Sequence, residues 1–419
     1  MSVETQVPAP AGQPARPVKK RKLPRILLAT SGVLILFSLV RIVTGADELT
    51  SAGTVSAALG LAVPIGMAGL GGLWSERAGV VNIGLEGMMI LGTFGAGWAG
   101  YQWGPWAGLG FAIFMGSLGG LLHALATVTF GVDHIVSGVA INILALGITQ
   151  YLAVEVFSGV EGGGETQSPR ISPMATVTLP VVSDWLQDVA DNGWFLVSDL
   201  AGVLAGLTTN VSVLTIIAIG LVIATFYVLW RTAFGLRLRS CGEAPYAAET
   251  LGVNVYRYKY IAVTMSGALA GIGGAYLAIV GASIYSEGQT GGRGYIGLAA
   301  MIFGNWRPGG LALGAGLFGY TDAVQLRSAD AVHALLLVAA IAALLYGAWS
   351  LYRGSSVSGA VGIGMGVALG LWYFSTDELP SQVVAATPYV TTLVVLALAS
   401  QRLRMPAADG VRYRRGEGR

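Results

Sequence analysis

A chain of 419 residues with 54% hydrophobic and only 11% charged side chains lies far from soluble domains, which carry about a quarter charged residues. Its mean hydropathy of +0.67 and its long apolar runs make it an all-α polytopic membrane protein on sequence grounds. The single cysteine, Cys241, excludes an intrachain disulfide framework and a cysteine-ligated cluster, and the net charge of +2 is less informative than its distribution.

In chain order, residues 1–25 form a basic tail with six Lys or Arg, followed by an apolar run over 26–44. No small-residue cleavage site follows that run, so it reads as an uncleaved first helix. Further spans are expected at 53–73, 80–100, 105–129, 135–156, 211–230, 259–281, 294–305, 309–327, 331–350, 357–374 and 383–400. Twelve crossings put both termini on one side, together with five Lys or Arg over 231–259 and six over 401–419. Residues 155–199 instead hold seven acids against Arg170 alone. By the positive-inside rule the basic stretches are cytoplasmic and 157–210 lies outside. Such basic flanks are ordinary topology signal, so no nucleic acid partner is expected. The run over 294–305 is too short for a straight crossing and reads as a bent or half-helix. Outside, Val182, Trp185, Leu186 and Val189 mark one face of a short surface helix.

One internal echo stands out. "IGLEGMMILG", from Ile83, returns as "IGLAAMIFG" from Ile296, five crossings later and so entering the membrane in the opposite direction. That is the pattern of an inverted repeat, whose halves enclose a substrate path.

Several chemistries are absent. None of the four lysines (Lys19, Lys20, Lys22, Lys259) follows a glycine, so there is no Walker A loop for ATP. His123, His134 and His333 have no metal-ligand spacing. Glu86, Asp133 and Asp322 are too scattered to make an assembled catalytic set for a membrane enzyme, which leaves transport as the stronger class.

Polar residues inside the spans are the candidates for a path. Asn82 and Glu86 are four apart and share a face if 80–100 is helical throughout. A carboxylate at membrane depth costs about 2.5–3.5 kcal/mol on insertion scales, so it faces protein or a water-filled path. Asn82 is assigned to the path, whereas Glu86 either lines it or braces the fold. Asn142 and Gln150 in the fifth span are open to both roles. Asp322 and Gln325 are placed near water at the outer end of the ninth span, and His123 is a packing residue. Trp306 and Arg307 read as interfacial anchors.

The loop 231–258 contains "GEAPYAAETLGV". Pro245 suits a first helical turn and Gly252 a left-handed termination, giving a short helix over about 244–251. Its Ala247 and Ala248 would present a bare surface to another protein's groove; a plain surface helix is the other reading.

These residues carry a family resemblance. Gly242, Glu243, Ala247, Ala248 and Gly252 resemble the loop by which ABC importer permeases grip their ATPases, although Tyr246 stands where that motif has Glu. "SERAGVVNIGLEGMM", "DHIVSGVAINILALG", "GRGYIGLAAMIFGNWRPGG", "LPSQVVAATPYV" and "MPAADGVRYRRGE" are similar to the branched-chain amino acid/ribose permease superfamily, and within it to nucleoside and simple-sugar permeases. The resemblance covers about residues 50–327 and 378–417. It implies a permease core over 26–330 built as five plus five crossings, a helix pair inserted at 331–375, a last core helix within 376–400 and a cytoplasmic tail at 401–419. It also implies ABC ATPase subunits that use Mg-ATP, with no cofactor in this chain. A second permease, identical or different, an external solute-binding lipoprotein and a nucleoside substrate complete the expectation. A simple-sugar or branched-chain amino acid permease and an ion-coupled secondary transporter are the rival readings.

Overall fold

The computed structural model describes residues 25–399 and 403–416; the basic N-terminal tail expected over 1–25 lies almost wholly outside them. Every apolar run expected to span is helical: α1 (Arg25–Thr44), α2 (Ala52–Arg77), α3 (Leu85–Trp103), α4 (Pro105–Ala124) and α5 (His134–Phe157) come first. The segment expected to lie outside holds a two-residue strand pair, β1 (Thr176–Val177) and β2 (Val211–Ser212), around α6 (Val182–Asp191) and α7 (Val197–Thr208). After α8 (Val213–Arg231), the loop expected to be cytoplasmic forms α9 (Ala233–Glu243) and α10 (Pro245–Thr250). The remainder is α11 (Val255–Tyr276), α12 (Arg293–Phe303), α13 (Pro308–Arg327), α14 (Ala329–Tyr352), α15 (Ser356–Ser375) and α16 (Ser381–Ala399). Among the described residues, seven helical stretches are long and apolar enough to cross a membrane by length and composition, and shorter apolar helices accompany them.

Irregular backbone precedes both α3 and α12, but only α3 starts later than expected; α12 begins at Arg293, beside the expected 294. Residues 78–84 are irregular yet mostly buried, so α3 begins at Leu85, after Asn82, rather than at residue 80. Residues 282–292 are likewise irregular before α12. With 1.5 Å of rise per residue, the 11 residues of α12 reach about 16 Å, roughly half of a bilayer core. Non-helical backbone at that depth is tolerated because protein surrounds it.

The halves are interlocked. The most extensive contacts of α2 are with α13, α11 and α12, and those of α11 are with α4, α2 and α3. Each central helix therefore packs into the other half, with α12 exchanged for α3 and α13 for α4, as an inverted repeat requires. Glycine permits these approaches. A Cβ on Gly267 of α11 would collide with the Gly116 carbonyl of α4, and one on Gly69 of α2 would lie 2.5 Å from the Gly297 carbonyl of α12. Membrane helices gain little from hydrophobicity against lipid, so this backbone-to-backbone packing supplies their cohesion.

The helix pair α14 and α15 packs on itself along Gly347, Gly359, Gly362 and Gly366 and meets the core through α13 and α1. Between α5 and α8, α6 turns Leu186 inward onto Ala201 and Ala205 of α7, while Val182 and Trp185 stay exposed. The expected apolar face is thus split, because α7 covers only part of it. The helix α7 itself is an addition to the expected elements. Its Gly202 and Gly206 lie against the Thr50 and Ala52 carbonyls, and its buried Asp199 pairs with Arg41 of α1 at 2.7 Å. Trp306 is also buried, with its indole donating to Glu76 at 2.5 Å, so it anchors the inner ends of two helices rather than the lipid interface.

A glycine-to-alanine pair separates close packing from helix propensity. A methyl group on Gly220 in α8 would meet nothing within 4 Å, so Gly220→Ala should be neutral or stabilise by about 1 kcal/mol. Gly267→Ala should destabilise by about 1–3 kcal/mol or more through overpacking. Thermal melting of the detergent-solubilised protein checks both; equal melting of the two variants would refute the interlocked seam.

Candidate functional site

The first turns of α3 and α12 meet at Glu86. Its Oε1 accepts from the Thr290 hydroxyl at 2.6 Å and from the Gly292 amide at 2.9 Å; its Oε2 accepts from the Gly294 amide at 2.7 Å. The free N–H groups of a helix start carry partial positive charge, and a carboxylate there is stabilised. Gly294 is needed for this fit, since a Cβ there would lie 2.6 Å from Glu86 Cα. In this conformation Glu86 is therefore a brace that joins the two halves.

Asn82 and Asn142 serve the same junction. Asn82 is fully buried, accepts from the Gly84 amide at 3.0 Å and donates to Ser266 of α11 at 2.8 Å. It does not share a helical face with Glu86, because the chain is irregular at residue 82. Asn142 of α5 accepts from the Gly87 amide at 2.7 Å, which supplies the missing cap of α3, and donates to the Ile83 carbonyl and to the Tyr295 hydroxyl. Thr290, Tyr295 and Ser266 belong to this network and are absent from the sequence-based candidates. The polar run around "GQTGGRGY" is the available signal for the first two.

The junction opens onto one exposed face. Tyr295 of α12 is 47% exposed beside Asn142, and further along α5 the Gln150 amide donates to Glu287. The neighbouring surface of α5 is apolar, with Ile143, Leu144, Ile148 and Val154 outward. Asp322, expected near water, is instead held by Arg293 at 3.0 Å. His123 is buried between Ser137 and the Val81 carbonyl, both at 2.9 Å. No group of three or more His, Cys, Asp or Glu among the described residues could hold a metal.

At the C-terminal end of α2, Arg77 donates to the Trp306 carbonyl at 3.0 and 2.7 Å and approaches Glu243 at 3.8 Å. Gly242 packs on the Arg77 carbonyl, which leaves no room for a side chain. The short helix α10 ends at Gly252, whose φ of +82° is the left-handed conformation expected of it. Its two alanines differ: Ala247 is exposed, but Ala248 is 3% exposed, covered in a cluster with Cys241, Val255 and Tyr413 of the C-terminal segment. The exposed apolar residue here is Leu251, at 85%. Burial pushes the Cys241 thiol up to about 11, so it stays unreactive. Asp409 of the C-terminal segment is buried beside Glu76, with Lys259 and Arg77 also facing it, and burial pushes its carboxyl up to about 7.

Residues 54–340 match the family described as "Branched-chain amino acid transport system / permease component". The guanosine ABC transporter permease protein NupQ of Bacillus subtilis (strain 168) is 34% identical over 372 residues, 87% of this chain and 97% of that one. The nucleoside ABC transporter permease protein NupC of Lactococcus lactis subsp. cremoris (strain MG1363) is 34% identical over 358 residues, 84% and 93% of the two chains. A more distant relative is the glucose ABC transporter permease protein TsgB13 of Haloferax volcanii, 26% identical over 234 residues, 54% of this chain and 57% of that one. No solved structure matches.

The Asp409 environment gives a pH dependence. An undocked C-terminal segment has its carboxyl near the ordinary 3.8, and a docked one near about 7. Below the lower value both forms are protonated and docking is strongest; between the two, only the docked form keeps its proton, so docking weakens as pH rises. From pH 6 to pH 8 the docking constant should fall about tenfold, and Asp409→Asn should lose most of that response. Hydrogen exchange of residues 403–416 at the two pH values is the measurement; an unchanged response in the Asn variant would contradict the assignment.

Proposed function

The chain belongs to the branched-chain amino acid transport system permease family, and on that premise we propose that it is the membrane subunit of an ATP-driven nucleoside importer. Two relatives named for guanosine and nucleoside transport, aligned over most of both chains, support the substrate class. ATP hydrolysis, with its Mg-ATP, belongs to separate ATPase subunits, and this chain carries no cofactor. An external solute-binding lipoprotein delivers substrate, and a second permease, identical or different, faces this one. The protein lies in the cytoplasmic membrane with both termini inside.

One observation carries the placement of the path: polar side chains sit on an otherwise apolar, exposed face of α5 and α12. Tyr295, Asn142, Gln150 and Glu287 would be costly against lipid, so this face meets a water-filled path closed by the second permease. The chemistry there fits a nucleoside. Tyr295 offers a ring on which a base can stack, and the Glu287 carboxylate can accept from two ribose hydroxyls. A zwitterionic amino acid would also need a free cation, whereas Arg293 is committed to Asp322. The specific observation favouring a sugar instead is the glucose permease relative.

Two measurements test this reading. Glu287→Gln should raise the KM for guanosine about tenfold, the value of one charge-assisted hydrogen bond, without loss of protein from the membrane. Unaltered KM values for guanosine and cytidine would remove this face from the path, and competition by glucose as strong as by guanosine would favour the sugar reading. For orientation, a cysteine at exposed Glu161 should react with an impermeant thiol reagent on intact cells and one at exposed Thr250 should not; the reverse pattern would invert the topology.

A further inference from the structure

The C-terminal segment lies beyond the last membrane helix, yet it is fastened at each step. The Arg404 amide donates to Asn305 Oδ1 at 2.7 Å, in the turn between α12 and α13. The Ala407 amide donates to Glu243 at 3.2 Å and the Ala408 amide to the Gly242 carbonyl at 2.8 Å. Asp409 is 8% exposed against the inner ends of α2 and α11. Tyr413 then lies between Tyr246 and Tyr256, with ring centroids at 5.3 and 5.4 Å, and Arg415 reaches Glu249 of α10 at 3.4 Å. The segment is a strap across the loop that carries α10.

We propose that residues 403–416 form, together with α10, one composite surface that receives the ATP-hydrolysing subunit of the transport system. This rests on the importer reading above and goes beyond it, because that reading needs only α10. The strap decides which face of α10 is free. It covers Ala248 and leaves Ala247, Thr250 and Leu251 outward. The strap also supplies charge. The exposed guanidinium group of Arg415 stands beside α10, where it pairs with Glu249, and exposed Arg412 faces Asp133 and His134 at the start of α5. Around Leu251 lies a cavity of about 480 Å³ lined by Phe234, Arg237, Leu251, Asn254, Arg257 and Tyr258, among others. An apolar knob ringed by arginines selects a partner with an apolar slot and an acidic rim. Exposed rim charges cost little to the fold when changed, whereas they steer and hold a complementary partner.

The test uses the full transporter, co-expressed with its ATPase and second permease, and measures ATPase co-purified per permease together with the melting temperature of the permease. Three variants are compared: a chain ending after Arg404, the double variant Arg412→Glu/Arg415→Glu, and Leu251→Asp. The expected result is a loss of about tenfold or more in co-purified ATPase for all three, with the melting temperature of the double variant unchanged. Loss in Leu251→Asp alone, with full retention in the other two, overturns the strap's role and leaves docking on α10 standing. Full retention in all three overturns the docking face itself. If the shortened chain fails to fold, the double variant decides: wild-type retention there overturns the proposal.

Discussion

Two helix starts meet inside this protein, and the charge between them holds the rest in place. The free N–H groups at the beginnings of α3 and α12 are partial positive charges in a medium with little water, where each unsatisfied group costs several kcal/mol. Glu86 answers those of α12 with both carboxylate oxygens, and Asn142 answers Gly87 of α3. The arrangement is reciprocal. Without the carboxylate, the amides of Gly292 and Gly294 are left buried without acceptors; without those amides, the carboxylate is an uncompensated charge. The polar residues inside the spans thus secure the point where two half-length elements end, before any question of transport arises.

The glycine-rich composition follows from the same geometry. To bring the starts of α3 and α12 together, α2 and α11 must cross at the centre, and each must be packed by helices of the opposite half. Gly69 against Gly297, and Gly267 against Gly116, set the separation at which the Glu86 bonds can form. A bulkier side chain in either seam would move α12 or α4 outward by tenths of an ångström. Hydrogen bonds of 2.6–2.9 Å have little tolerance for that.

What is legible in the sequence is what depends on neighbouring residues. The hydrophobic runs, the start of α10 at Pro245 and its stop at Gly252 are set by local composition and backbone chemistry, and the structure has them in the expected places. The echo between Ile83 and Ile296 falls at the starts of α3 and α12, with Ile83 two residues before α3 and Ile296 inside the first turn of α12. What is not legible depends on distant partners. The burial of Ala248 comes from Tyr413, far along the chain, and no local pattern in α10 announces it. Asn82 falls outside the helix because the 78–84 segment trades helical bonds for contacts to His123, His134 and Ser266. The helix α7 is hidden for another reason: its Gly202 and Gly206 depress an apolar signal that is only 12 residues long, although their four-residue spacing is readable as a packing face.

The irregular segment 78–84 has the most consequential position, because it is gripped at both ends. At its first end Gly79 touches Gly242 and Ala408, its carbonyl accepts from Lys259 at 3.1 Å, and Val81 lies under Gly410. At its inner end, two residues beyond Gly84, stands Glu86 with its bonds to α12. A helix through these residues would have bound the segment to itself through its own carbonyls and amides. As irregular backbone, it spends those groups on α4, α5 and α11 instead, so its position is set by its neighbours. A displacement of the loop carrying α10 therefore acts directly on the residues that lead to the α3–α12 junction, with no intervening helix to absorb it. The exposed face of Tyr295 and Asn142 is bonded to that same junction. The loop that carries α10 and the proposed path are thus both in contact with one short stretch of chain, residues 78–86.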